Sequence, residues 1–405
     1  MLETKKGVQM KTRTIKLGLV TASVLMGTVA MAGGEIEPMT PMVDTGAPAK
    51  VEWKSKHKFF GFSQIGVRAG DGAKLGDDAD IGFDFDRVRL GWKYFSGPLA
   101  GKVFLDFAKK GSDNGSIGVP DMVKDAFIAY KFDDAAVIKA GVIKTPVGMG
   151  FTIPGWNLDV IKRGFDKKLA FERAAGLMLS GRDIGFGNDG KVNGLEMGHE
   201  RPWKGFGYDL MVTGATGRSG AVNAKDEDGK IFKKNQENGY MGRLMFDWGQ
   251  ALHSEVGYGK IAGNTDGSGE DYKVLNVGID SHFDRANVKA EYYDVQNIRG
   301  KDGWDMNTLA LTGTYYITDT LEFAVKDIRG TETRGGADAD AANTYIGLNY
   351  YINPKNNKMD RKSRRGRNRH RIQLNYVLAD VDKEFKGVGA LFKDDAFLAQ
   401  YQFKF

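Results

Sequence analysis

The last ten residues of the chain, from Ala396 to Phe405, alternate almost without fault. Phe397, Ala399, Tyr401, Phe403 and Phe405 fall on one face; Leu398, Gln400, Gln402 and Lys404 fall on the other. Such a segment has the length a tilted strand needs to cross a hydrocarbon core, about 9–11 residues. Its apolar positions are mostly aromatic, which suits a surface that meets lipid and the interface above it. A soluble edge strand can carry the same pattern, so the remainder of the chain has to decide.

Period-two segments recur from residue 58 onward. They cover about 58–69, 81–94, 99–108, 122–132, 135–143, 182–200 with an interruption, 206–215, 239–248, 251–260, 271–283, 286–295, 305–317, 320–328, 343–352, 370–380 and 395–405. That makes sixteen, an even number, as single-chain bacterial barrels have. Within the sixth, Asn188-Asp189-Gly190 reads as a hairpin turn, which would raise the count to eighteen. Connections alternate in length: short near 95–98, 133–134, 201–205, 248–250, 284–285 and 318–319, long near 70–80, 109–121, 144–181, 216–238, 261–270, 296–304, 329–342 and 381–394. Short periplasmic turns alternating with long outer loops is the asymmetry of a transmembrane antiparallel β-barrel, and it places both chain ends in the periplasm.

The front end is consistent with export. Lys11, Arg13 and Lys16 precede an apolar stretch from Leu17 to Met31, and Ala30-Met31-Ala32 reads as a cleavage site. Residues 1–32 therefore read as a signal peptide, with Met10 a candidate true start, and 33–57 as a short Pro-rich periplasmic lead. No later run is long and apolar enough for a membrane helix. The 55 glycines suit many sharp turns, and the absence of cysteine excludes disulfides and thiolate metal sites.

Alternation also sorts side chains between exterior and lumen. Phe83 and Phe85 point out with Asp84 and Asp86 in; after a one-residue slip near Asp86-Arg87, Arg87, Arg89 and Lys93 turn inward. Lys102 and Asp106 on the third strand, and Lys139 on the fifth, also face in. The connection 144–181 is unlike the other long loops. Its first half, Thr145 to Trp156, is apolar and stiffened by Pro146 and Pro154. An exposed loop has no reason to keep that much apolar surface in water, so it is expected to fold against the inner wall and narrow the channel. Its bases Lys144, Lys162, Arg163, Lys167, Lys168 and Arg173 outnumber Asp159, Asp166 and Glu172. A narrow constriction magnifies such an excess, giving an eyelet that favours anions. Alternatively these bases pair with wall carboxylates such as Asp106 and Asp125 and fix the loop.

Several stretches resemble the phosphate-selective porin O/P family: Phe85 to Gly91, Lys139 to Gly148 with its Lys-Thr-Pro-Val-Gly run, Phe171-Glu172-Arg173, Arg182 to Gly185, and the final strand. The resemblance spans about 58–405. It implies a sixteen-stranded trimeric porin whose third loop folds into the lumen and whose basic side chains bind phosphate-like anions. Lys144, Arg173 and Arg182 sit in the matching stretches. The C-terminal Phe405 resembles the residue that outer-membrane assembly machinery reads. The richer basic clusters of phosphate-specific members are not evident elsewhere.

Net charge carries little of this argument. The chain is +6 overall. Residues 1–32 carry +4 and residues 358–371 carry +7, so the remainder is −5. The basic segment Met359–His370, within a predicted periplasmic turn at 353–370, suits anionic lipid, acidic envelope polymers or solvent. If the strand count is wrong it faces outward, toward lipopolysaccharide phosphates. The five histidines, His57, His199, His253, His282 and His370, form no set with a nucleophile, so no enzyme is expected. The sequence thus reads as an outer-membrane porin for passive diffusion, without cofactor, metal or nucleic-acid partner. Lys139, Lys144, Lys162, Arg163, Lys167, Lys168, Arg173 and Arg182 are its expected anion-attracting residues, with Arg87, Arg89 and Lys102 on the lumen wall. A structural or adhesive barrel with a closed lumen is the alternative.

Overall fold

A computed structural model describes residues 53–70, 81–108, 122–185, 204–214, 224–225, 231–232, 238–249, 251–261, 270–352, 369–387 and 391–405. The expected signal peptide, most of the expected lead, the expected Asn188–Gly190 turn and the expected basic turn 353–370, apart from its last two residues, lie outside the described residues.

Sixteen strands pair antiparallel, each with its neighbour in sequence, and the last pairs with the first to close a barrel. In chain order they are β1 Lys56–Gly70, β2 Ile81–Ser96, β3 Leu99–Asp106, β4 Val123–Asp133, β5 Ala136–Lys144, β6 Arg173–Ile184, β7 Lys204–Thr213 and β8 Gly239–Trp248. The second half comprises β9 Leu252–Ile261, β10 Tyr272–Phe283, β11 Ala286–Gln296, β12 Trp304–Tyr316, β13 Leu321–Arg334, β14 Ala337–Tyr351, β15 His370–Val381 and β16 Ala396–Lys404. A small separate hairpin pairs Ala224–Lys225 with Ile231–Phe232.

Closure leaves no unpaired edge. Phe62 to Gly70 of β1 pair with Lys404 to Ala396 of β16. Beyond that ladder, Phe405 N–H donates to the Gly61 carbonyl at 3.0 Å and Gly61 N–H donates to the Phe405 carbonyl at 3.2 Å. The slip in β2 is a bulge: Gln64 opposes Arg87 and Ile65 opposes Phe85, leaving Asp86 as the extra residue. The exterior is apolar along alternate positions, with Phe83, Ile128, Leu244, Val256, Ile279 and Phe397 all exposed. The opposite face carries buried Gln64, Asp106, Asn276, Asn349, Gln373 and Gln402. Apolar outside and polar inside is the arrangement a bilayer selects.

Two expectations need correction. The sixth strand begins at Arg173, not at 182, and runs to Ile184 among the described residues, so the connection before it shrinks from 144–181 to 145–172; residues 186–200 of the expected strand lie outside the described residues. Its alternation is invisible in sequence because the inward face is also small or apolar: Ala174, Gly176 and Met178 precede Ser180. The expected loop 329–342 is instead strand on both sides of a two-residue turn at Gly335-Gly336. Both glycines have positive φ, +55° and +82°, as a tight type I′ hairpin turn requires. Its flanks carry polar Thr331, Thr333, Asp338 and Asp340 on the exposed face, which masks the period.

The connection 145–172 holds a single helical turn, Met149–Thr152, and 3-10 turns at Gly155–Asn157 and Phe165–Leu169. Its apolar residues are buried: Val147, Phe151, Val160, Ile161, Phe165 and Leu169 pack with Tyr272, Tyr293, Ile328 and Val377 of the wall. Each such side chain removed from water contributes about 1.5–3 kcal/mol. Hydrogen bonds to distant strands fix its backbone. Ile161 N–H donates to Asn375 Oδ1 at 2.7 Å, Asn349 Nδ2 to the Asp159 carbonyl at 2.9 Å, and Tyr272 O–H to the Leu169 carbonyl at 2.8 Å. Gly148 sits at φ +95° with its Cα against Tyr293, where any Cβ would meet the phenol oxygen at 2.2 Å.

Candidate functional site

The connection lies against β10 to β15 and leaves a cavity of about 960 Å³ between itself and the first strands. Among the described residues its lining holds sixteen lysines and arginines but only three carboxylates, Asp86, Asp125 and Glu172. Ten of the eleven basic residues singled out from sequence line it: Arg87, Arg89, Lys102, Lys139, Lys144, Lys162, Arg163, Lys167, Lys168 and Arg173. Arg182 stands apart. It donates to both oxygens of Asp209 at 2.9 Å, in a network that Arg243 extends to Glu255.

The bases differ in what holds them. Six are compensated by carboxylates. Lys162 pairs with Asp86, Lys167 and Lys168 share Glu172 at 2.5 and 3.2 Å, Lys102 and Arg173 share Asp125 at 2.6 and 2.9 Å, and Arg89 meets Asp106 at 2.8 Å. The four others are held by neutral groups. Arg87 donates to the Gln64 amide oxygen at 2.5 Å and Lys139 to the Ser180 hydroxyl at 3.2 Å. Lys144 donates to the Thr152 carbonyl at 2.9 Å, and Arg163 to the carbonyls of Gly150 and Ile153. A carbonyl, amide or hydroxyl oxygen orients a cation without cancelling its charge. The sequence-level alternatives, eyelet and loop anchor, therefore divide residue by residue.

Protonation follows from burial. Within the connection, desolvation pushes the Lys162 ammonium down to about 8 against the pull of Asp86. It pushes Lys167 down to about 8 against Glu172, and Arg163 down to about 9, with Arg87, Arg89 and Arg173 adding repulsion. Glu172 stays well below the usual carboxylate range because the Lys167 and Lys168 charges outweigh its own burial. All four are charged at neutral pH.

Sequence reasoning missed part of this lining. Lys58, Arg68, Lys124, Arg369 and Lys404 complete the basic set. Lys404 was legible from the alternation of β16; Lys124 shares the parity of outward Ile128 and Tyr130 and turns inward only as the extra residue of a bulge in β4 opposite Phe104-Leu105. The balance of −5 outside the basic segments also misleads, because many acids lie on the covered wall. Asp209, Asp247, Glu255, Asp280, Glu291 and Glu322 are each no more than 5% exposed. His253 lies there too, with Asp247 at 3.0 Å on one ring nitrogen and Glu255 at 2.9 Å on the other. With both ring nitrogens engaged, it serves the ion-pair network of the wall.

No protein-family model matches the chain, and no functionally curated protein matches it in sequence. Among solved structures it is similar to OmpF of Salmonella typhi in complex with daunomycin, at 14% identity and a TM-score of 0.58, covering 87% of this chain and 98% of that one. It is also similar to the outer membrane channel DcaP of Acinetobacter baumannii, at 13% identity and a TM-score of 0.56, covering 87% and 97%. The trimer form of OmpT of Vibrio cholerae aligns at 13% identity and a TM-score of 0.54, covering 87% and 99%. At these identities the likeness is one of fold: the chain shares their closed sixteen-stranded barrel.

Proposed function

We propose that the chain is a bacterial outer-membrane porin through which small hydrophilic solutes diffuse passively, with a preference for anions. The closed barrel, the apolar exterior and the fold shared with an outer membrane channel support a membrane pore. The observation that carries the anion preference is the lining of the cavity, sixteen bases against three acids among the described residues. Segment 145–172 acts as the constriction, pressing solutes against the basic wall of β1 to β6. Inside a low-dielectric ring of protein, that imbalance concentrates anions and excludes cations.

Phosphate-like anions are the solute class suggested by the residue pattern around Lys144 and Arg173. Arg87, Lys144 and Arg163 supply uncompensated donors for such an oxyanion, as charge-assisted hydrogen bonds require. The assembly is a homotrimer, as the trimer form of the OmpT structure suggests. It sits among lipid and lipopolysaccharide, with Phe405 offered to assembly machinery during insertion. Planar-bilayer reconstitution tests this reading. Stepwise conductance that millimolar phosphate reduces in chloride solution supports both parts. Conductance indifferent to phosphate removes the phosphate class, and no conductance at all favours a structural barrel with a closed lumen.

A further inference from the structure

The connection between β15 and β16, described at 382–387 and 391–395, turns two aromatic rings inward: Phe385 is 0% exposed and Phe392 is 7% exposed. Phe385 meets Phe165 of segment 145–172 edge-on, at 5.7 Å between ring centroids. Phe392 meets Tyr345 of β14 edge-on at 6.0 Å. Two connections far apart in sequence thus share an apolar contact inside the barrel. The wall makes room for it. Ile328, Gly330 and Glu332 succeed one another on the covered face of β13, and Gly330 and Glu332 pair with small Ala341 and Ala339 of β14. Phe165 lies so close to Gly330 that a Cβ there would meet its ring at 3.0 Å.

Polar groups fasten the same connection at two points. Glu332 is buried, and its two oxygens serve different partners. Oε1 accepts from Trp304 Nε1 and Arg334 Nε, both at 2.5 Å. Oε2 accepts from the backbone N–H groups of Lys386 and Gly387, at 2.7 and 3.0 Å. One oxygen is tied to the wall and the other to the residues that directly follow Phe385. Gly387 has a φ of +61°, a left-handed turn of the kind that aims successive amides at one anion. Asn343, also on the covered face of β14, holds the second point. Its Nδ2 donates to the Phe392 carbonyl at 2.8 Å, and its Oδ1 accepts from the Phe392 N–H at 3.0 Å. Leu391 and Phe392 then border the cavity.

From these contacts we propose that Glu332 is a positioning residue of the constriction: it docks Phe385–Gly387 against segment 145–172, which makes the last connection part of the border that sets solute size. The inference rests on the pore reading of this cavity and goes beyond it, because it concerns size and not charge. Hydrogen bonds to a carboxylate are about twice as strong as those between neutral groups, so the charge of Glu332 is what makes the fastening firm. A glutamine in its place has one acceptor oxygen and one NH2 group. Whichever way that amide turns, one pair of donors faces another donor. The apolar seat of Phe385 on Phe165 then has to hold the connection alone.

The chain has no cysteine, so Phe385→Cys supplies a single thiol whose labelling by a maleimide reports undocking. With Glu332 intact the labelling should be slow. Adding Glu332→Gln should speed it about tenfold or more, the scale of losing hydrogen bonds to a charged group. Adding Arg334→Gln instead removes a donor only from Oε1 and should leave labelling slow. In reconstituted channels that keep Phe385, Glu332→Gln should raise the size of the largest neutral polymer that enters. Phe385→Ala, outside the strands, should do the same, and it carries the test if the Glu332 variant does not assemble. Labelling unchanged by Glu332→Gln overturns the inference, as does Arg334→Gln labelling equally fast. A polymer limit unchanged in both channel variants also overturns it. Wild-type protein with no conductance would instead refute the pore reading, so the two failures are distinguishable.

Discussion

Arg87 offers the sharpest test of how the cavity works, because its charge is held by an amide and not by a carboxylate. Arg87→Gln removes one unit of charge from the wall while keeping a polar side chain beside Gln64. At about 7 Å, one unit charge acts on a monovalent ion with about 2.4 kcal/mol at an effective dielectric of about 20, and about 0.6 kcal/mol in bulk water. The cavity is wet and the screening length is about 10 Å at 0.1 M salt, so the lower figure governs. That is about a threefold loss of local chloride and, with opposite sign, about a threefold gain of potassium. The permeability ratio should therefore fall by up to about ninefold, and less at 1 M salt. The matched control is Lys167→Gln with Glu172→Gln, which deletes an ion pair of 2.5 Å and leaves net charge unchanged. It should move the ratio by less than about twofold. A charge-neutral control that moves the ratio as far as Arg87→Gln, or an Arg87→Gln channel identical to wild type, would refute the distinction between compensated and uncompensated bases.

Other outcomes follow from the same geometry. Raising the pH from 7 to 10 should weaken anion preference progressively, because Lys162 and Lys167 release protons near 8 and leave Asp86 and Glu172 less fully cancelled; a flat ratio across that range would contradict their burial. Neutralising Lys167, Lys168 and Arg173 together should lower anion preference more than any one of them, since Glu172 and Asp125 then stand unopposed by these partners; the reversal potential decides. Asn349→Ala with Asn375→Ala removes two side chains that hold the connection, at about 1–3 kcal/mol for each buried group left unpaired. Single-channel records should then show added open-state noise. Gly91→Ala forces a methyl against Phe60 and Phe104 and should destabilise the barrel by about 1–3 kcal/mol, read as a lower temperature of gel-mobility shift.

Most of the barrel was legible because one face of nearly every strand is exposed and apolar while the other carries polar side chains. Where both faces share one character, the period disappears. Strand β6 has Leu177 and Leu179 outward but Ala174 and Met178 inward, so it read as loop. In the β13–β14 hairpin the exposed face is polar, with Thr331, Thr333, Asp338 and Asp340, while the covered face of β14 carries only small Ala339 and Ala341, so no strong apolar period marks it and it read as loop. At the site, the basic residues were recognisable one by one. Their partners were not, because Arg87 with Gln64, or Lys162 with Asp86, are brought together by register and by the path of the connection. The inward aromatic contacts were hidden most deeply. Phe60 and Phe62 sit beside exposed Phe59 in a nearly all-aromatic run, and only the register through Gly91 brings Phe60 level with Phe104.

On this reading the open side of the lumen is electropositive although the acids of the far wall leave most of the barrel with net negative charge. The reversal potential of wild-type channels across a potassium chloride gradient tests it most directly. The potential should lie on the chloride side at neutral pH. A potential on the potassium side would mean that the net −5 of the barrel, and not the basic lining of the cavity, sets what passes.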